Sequence, residues 1–231
     1  MNNIEFKNTE LLDSYIKNNY IELLGSGREG NSFLLPNDIV LKKLYKKRNI
    51  NYLNRFDGIK IDGVVFARGG IIIDKSVYGL LLKYVGGKSF NKIDYCELDL
   101  NELAISLNNL LKIIKELSNK GICISDFYIG NIIYDGNDFT LIDTQDYYYK
   151  DIKDLYIENV NIVMKNLYRC LFYNNYMIHS FLLNSNLKEY YYDYYLLSNP
   201  IVMINELIVR FQIKYEIKVS NISEMKRVLS K

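Results

Sequence analysis

The stretch Ile122–Tyr147, ICISDFYIGNIIYDGNDFTLIDTQDY, constrains this chain more than any other. It reads as a short strand, a loop, a hairpin and another short strand, with its apolar runs broken by Asp126, Asn131 and Asp143. Asp126 and Asn131 lie five residues apart on the loop, and Asp143 follows a strand over Phe139–Ile142. That strand is reached through Asp135-Gly136-Asn137-Asp138, and an Asp-Gly pair between apolar runs is a strong hairpin signal. Such a hairpin is expected to fold Asp143 back towards the loop, so that two carboxylates and a side-chain amide face one point. Hard oxygen ligands of this kind suit a magnesium ion bound jointly with phosphates, with one carboxylate free to orient a hydroxyl.

Upstream, Tyr20–Leu35 runs from an apolar strand into Gly25-Ser26-Gly27-Arg28-Glu29-Gly30 and out into a second apolar strand. A dinucleotide fingerprint of this spacing must open a helix after its last glycine. Here Asn31–Leu35 and then Pro36-Asn37-Asp38 read as strand and turn. The expectation is a glycine-rich hairpin whose bare backbone can approach phosphates; an ordinary glycine-bearing hairpin is the competing reading. Ile39-Val40-Leu41-Lys42 follows, and strand alternation puts Val40 and Lys42 on one face and Lys43 on the other. The run Lys42, Lys43, Lys46, Lys47 and Arg48 also reads as a solvated basic face.

Taken together, the glycine hairpin, the strand ending in Lys42, and Asp126-x4-Asn131 followed by Asp143 resemble the protein-kinase-like superfamily over most of residues 20–172. The resemblance implies an α+β, two-lobed protein-kinase-like fold, with a small β-rich N-lobe over 1–85 and a shortened, mainly helical C-lobe over 86–231. It implies ATP and Mg2+, with Gly25, Gly27, Gly30 and Lys42 on the phosphates. Leu82 would back the adenine, and the backbone of Lys83, Tyr84 and Val85 would bind its edge. Asp126 would be the catalytic base, and Asn131 and Asp143 the metal ligands. The acceptor expected first is a serine or threonine of a protein substrate. The Gly130-Asn131 pair also occurs in small-molecule kinases of aminoglycoside and choline type, and a pseudokinase that binds nucleotide or a partner is the third reading.

Several positions depart from that family's pattern. Kinases pair the strand lysine with a glutamate on the next helix, yet no glutamate occurs between Glu29 and Glu97. Tyr45–Phe56 is expected to be that helix, with Asp57 or Asp62 as substitutes. Ile124 and Ser125 stand where histidine and arginine are usual, Tyr128 where many protein kinases carry a lysine, and Thr144-Gln145 where Phe-Gly is usual. No A-P-E follows, and without an arginine at Ser125 no switch by phosphorylation of that loop is expected.

The remaining segments read as scaffold. A helix is expected within 1–19, capped by Thr9. A second spans Asp99–Asn119, with an Asp99/Glu102 capping box and Gly121 as stop. Further helices are expected at Asn159–Phe172, near Ile201–Phe211, and from Asn221 with Glu224 as capping partner. Tyr190–Tyr195 reads as packing or as an aromatic surface. The net charge of +2 implies no nucleic-acid surface, and no apolar run or N-terminal core reads as a membrane span or signal peptide. Cys96, Cys123 and Cys170 are expected as free buried thiols in a reducing, cytoplasmic setting, and the single His179 excludes a histidine-rich metal site.

Overall fold

In the computed structural model, residues 3–184 and 199–231 are described, and they form an α+β arrangement. The Tyr190–Tyr195 segment lies outside the described residues. The chain divides into two compact units: 1–60, 64–86 and 142–145 make the first, and 61–63, 87–141 and 146–231 the second.

The first unit is built on a six-stranded sheet. Its strands are β1 (Ile4–Glu5), β2 (Glu22–Ser26), β3 (Gly30–Leu35), β4 (Ile39–Asn49), β5 (Gly69–Ile73) and β6 (Ser76–Lys83). Their order across the sheet is β1-β5-β6-β4-β3-β2, antiparallel except for the β1–β5 pair. Period-two alternation sorts the apolar side chains onto two faces. On one face, Leu35, Leu41, Ile71 and Leu81 pack with Leu12 and Ile16 of α1 (Thr9–Asn19). On the other, Val40, Leu44, Val65, Ile72, Leu80 and Leu82 form a second cluster. The cap of α1 is Asn8, whose side-chain oxygen accepts from Leu11 N at 3.0 Å, and not Thr9. Asp74 and Lys75, with φ of 48° and 59°, make the tight turn between β5 and β6.

Two expectations fail here. The helix over Tyr45–Phe56 is absent from most of that range. β4 runs on through Asn49, and the only helical residues are the single turn α2 (Asn51–Asn54). The strand wins because its backbone groups find partners: Tyr45 N donates to Glu29 O at 2.8 Å, and Arg48 and Asn49 pair with Val77 and Ser76. The basic run offers a helix no apolar stripe to bury. The apolar run Val64–Ile73 reads in the sequence as one strand, yet the strand begins only at Gly69.

In the second unit the central helix is α3 (Leu100–Asn119), packed against α4 (Leu155–Tyr168) and α6 (Pro200–Tyr215). Leu103, Leu107, Leu110, Ile114 and Leu117 of α3 are fully buried, as are Val160, Val163, Met164 and Leu167 of α4. Asp99 caps α3 by accepting from Asn101 N and Glu102 N, and Gly121 ends it at φ 71°. Strand β8 (Ile122–Cys123) pairs with β11 (Tyr148–Tyr149). β7 (Lys88–Ser89), β9 (Ile132–Tyr134) and β10 (Phe139–Leu141) form a small sheet in the order β10-β9-β7. Gly136, at φ 108°, and Asp135, accepting from Asn137 N and Asp138 N at 2.9 Å, build the β9–β10 turn. After α4, a π turn over Arg169–Tyr173 leads to α5 (Tyr176–Asn184). The last helix, α7 (Ile222–Leu229), carries the expected capping pair: Asn221 accepts from Glu224 N, and Glu224 accepts from Ser220 N. The three cysteines are free, but only Cys123 is buried, while Cys96 and Cys170 are partly exposed. Among the described residues no helix is long and apolar enough to cross a membrane.

Candidate functional site

Lys42 sits on β4 between Val40 and Leu44, on the face that carries the second apolar cluster. At 6% exposure it is the only buried charged side chain among the described residues. An ammonium in that position must be compensated, because an unpaired buried charge is costly. Two carboxylates compensate it. Lys42 Nζ donates to Asp143 Oδ1 and lies 3.5 Å from Glu29 Oε2. Asp143 reaches it because its neighbours are anchored in the same unit: Ile142 packs against the apolar cluster, and Thr144 Oγ1 donates to Val65 O at 2.8 Å. Arg55 Nη1 donates to Gln145 O at 3.1 Å, while both amide atoms of the Gln145 side chain are buried without a partner.

The glycine segment is a hairpin, as its sequence implied. Gly27 N donates to Gly30 O at 2.9 Å, and no helix follows. Its glycines differ in what the fold requires. A Cβ on Gly30 would collide with the Lys43 carbonyl, so that glycine is structural. Gly25 would meet nothing within 4 Å, and Gly27 nothing closer than 3.8 Å, and neither has a positive φ. The fold itself gives no reason for glycine at those two positions.

The segment Leu82–Val85 ends β6. Leu82 is buried in the apolar cluster, against which Tyr84 and Val85 also pack, and Tyr84 N donates to Asp38 O at 2.8 Å. The Lys83 side chain is exposed. Leu24, beneath the glycine turn, and Ile142 border the same cluster.

Asp126 and Asn131 belong to the second unit, on a loop tied down at several points. Asn159 of α4, fully buried, accepts from Ile124 N at 2.8 Å and donates to Ile122 O and Ser118 Oγ at 2.9 Å. Ser125 Oγ donates to Asp146 O, and Ser89 Oγ donates to Gly130 O at 2.7 Å. Asn131 N donates to Tyr128 O at 2.8 Å, closing a single 3-10 turn over Ile129–Asn131. Within this fixed loop the Asp126 side chain is exposed. Asp126 adopts φ 48° and Asp143 φ 59°. The other five non-glycine residues in that region lie in turns or at a helix end: Asn37, Asp38, Asp74, Lys75 and Glu216. Held outliers of this kind concentrate at functional sites.

Among the described residues no group of three or more His, Cys, Asp or Glu could hold a metal. A magnesium ion bound with phosphates draws on only one or two protein carboxylates. Asp143 in the first unit carries a carboxylate of that kind, and Asn131 in the second carries an amide oxygen. Glu29 and Asn159 were not singled out by sequence reasoning. Glu29 is at least inside the glycine motif, whereas nothing local marks Asn159. No protein-family model matches the sequence, and no curated protein matches it at a significant level.

Proposed function

We propose that this protein is a phosphotransferase that passes the γ-phosphoryl group of ATP to a hydroxyl, with serine or threonine of a protein as the acceptor. The observation that carries this reading is the buried Lys42 held between Asp143 and Glu29. Burying an ammonium between two carboxylates is a poor way to stabilise a sheet, since an apolar side chain of similar volume does as well or better. It is a good way to fix a cation for phosphate oxygens. Gly25 and Gly27, glycines that the fold does not demand, place no side chain between the backbone of this turn and the same phosphates. The cluster around Val40, Leu82 and Ile142 offers an apolar face for the base, and the Lys83–Val85 backbone its polar edge. Asp126 orients the acceptor hydroxyl and takes its proton as the oxygen attacks the γ-phosphorus and the bond to the β-phosphate oxygen breaks. Asn131 and Asp143 each carry a hard oxygen donor of the kind a magnesium ion takes, and such an ion would neutralise charge on the phosphates. A two-lobed protein-kinase-like fold is part of the same proposal.

One observation favours a small-molecule alcohol as acceptor instead. Only residues 144–154 separate Asp143 from α4, and within them Tyr148–Tyr149 is paired to β8 while Tyr147 is buried. Little chain remains there to dock an extended peptide.

The test is incubation of the pure protein with labelled ATP and magnesium, alongside Asp143→Ala. Label on protein that is lost in the variant supports protein phosphorylation. Turnover only with added metabolites moves the acceptor to small alcohols. Absence of turnover with any acceptor, with or without a nucleotide-dependent rise in melting temperature, overturns the enzyme reading; the rise alone would indicate a nucleotide-binding pseudokinase.

A further inference from the structure

We infer that Glu29, on the turn of the glycine hairpin, is the positioning residue of Lys42, an inference that rests on the phosphotransferase reading. The helix that would normally bring a glutamate to this lysine is reduced to Asn51–Asn54, and its four residues are Asn, Tyr, Leu and Asn. Glu29 reaches the ammonium from the opposite direction in the chain. Its backbone carbonyl accepts from Tyr45 N at 2.8 Å, and the next residue, Gly30, lies so close to the Lys43 carbonyl that no side chain fits. Its Oε1 accepts from Arg48 Nη2 at 2.8 Å, leaving Oε2 3.5 Å from Lys42 Nζ. Arg48 is itself placed over the Tyr52 ring, 5.5 Å from its centroid. Glu29 is thus fixed at its backbone and at its carboxylate, and its side chain is only 27% exposed.

The arrangement has two consequences. Arg48 balances the charge of Glu29, so a carboxylate near the phosphates adds no net negative charge there. Glu29 also holds Lys42 independently of Asp143. When Asp143 turns to another ligand, the ammonium keeps an anionic partner and stays in place. Because Glu29 rides on the glycine turn, the position of the turn and the position of the lysine are coupled.

The experiment is a double-mutant comparison of magnesium–ATP affinity by isothermal titration calorimetry, with kcat and KM measured in parallel. The proteins are wild type, Glu29→Gln, Glu29→Asp, Lys42→Met and Glu29→Gln/Lys42→Met. Glu29→Gln should weaken binding by about tenfold, the scale of one lost charge-assisted contact, and should add nothing in the Lys42→Met background. Glu29→Asp should recover part of the loss. Wild-type affinity in Glu29→Gln, or an equal loss with and without Lys42, overturns the inference while leaving the phosphotransferase reading intact. Absence of wild-type binding, or unchanged binding in Lys42→Met, overturns that reading and this inference with it. Should Glu29→Gln fail to fold, Arg48→Met frees the same carboxylate and must show a smaller loss that also vanishes without Lys42.

Discussion

The ammonium of Lys42 donates to the carboxylate of Asp143, 101 residues further along the chain. The pair joins the middle of β4 to the end of a short segment that is anchored by Ile142 and Thr144. Lys42 is buried and the Asp143 side chain is 36% exposed, so the two partners are unequal. Removing Asp143 leaves a buried cation with only the looser contact to Glu29. Asp143→Ala should therefore cost about 1–3 kcal/mol, or a fall of roughly 2–4 °C in Tm per kcal/mol. Lys42→Met removes the charge and keeps the volume, and should leave Tm unchanged or raised. Both should reduce any nucleotide-dependent stabilisation. Differential scanning calorimetry with and without magnesium–ATP separates the two effects.

The glycine hairpin gives a second prediction, in which stability and binding part company. Gly30→Ala drives a methyl group into the Lys43 carbonyl and should cost about 1–3 kcal/mol, as overpacking does. Gly25→Ala and Gly27→Ala have room for the added carbon, so their stability should stay within about 0.5 kcal/mol of wild type. If phosphates approach this turn, those two variants should lose about tenfold in ATP affinity. Urea denaturation and calorimetric titration of the three variants provide the measurements.

What was legible in the sequence was local chemistry. Asp135-Gly136 announced its turn, Asp99 and Gly121 the ends of α3, and the glycine hairpin its strand partner. In each case the signal and the structure lie within a few residues of each other. The misses are non-local. Tyr45–Asn49 is a strand only because Glu29, Ser76 and Val77 pair with it, and no period in the basic run reveals that. β1 exists through its pairing with β5, and the glutamate beside Lys42 is Glu29, thirteen residues upstream. Asn159 belongs to the same class. It read as the start of a helix, while its amide closes the chain before Asp126 from 35 residues away.

Asn159 should be correspondingly intolerant. Asn159→Leu leaves the buried Ile124 N and Ile122 O without their partner, while Ser118 Oγ keeps its bond to Ile114 O. Each buried orphan costs about 1–3 kcal/mol, so a total loss of about 2 kcal/mol or more is expected. Asn159→Asp keeps the acceptor for Ile124 N but sets a carboxylate against the Ile122 carbonyl, and should be no better. The midpoint of urea unfolding checks both.

Acid should loosen the second unit by a predictable route. Hydrogen bonds from the Asp138 and Asn137 backbones hold the Asp135 carboxyl below its ordinary range, and the Ser220 backbone does the same for Glu224. A depressed carboxyl contributes stability that is present above its unfolded pKa and lost as pH falls through the folded value. Tm should therefore fall on acidification below about pH 4.5. Asp135→Asn and Glu224→Gln, which keep an acceptor oxygen but carry no charge, should each flatten that fall while lowering Tm at pH 7. Thermal melts of the three proteins across pH 3–7 would show it.

Asp126 offers the sharpest division between folding and chemistry. Its φ of 48° is one that asparagine shares with aspartate at little cost and that alanine resists. Its exposed carboxylate sits on a loop already fixed by Asn159, Ser125 and Ser89, so the fold does not depend on its charge. Asp126→Asn should melt within about a degree of wild type, a difference well below 1 kcal/mol. Asp126→Ala should lose about 1 kcal/mol to backbone strain alone. If the carboxylate takes the acceptor proton, phosphoryl transfer should drop by roughly 10²–10⁴-fold in the asparagine variant, the usual contribution of a general base. Magnesium–ATP affinity should change little in that variant, because the acceptor and not the nucleotide is its partner. Equal turnover by Asp126→Asn and wild type would remove Asp126 from the chemistry and leave its left-handed backbone as a feature of the loop alone.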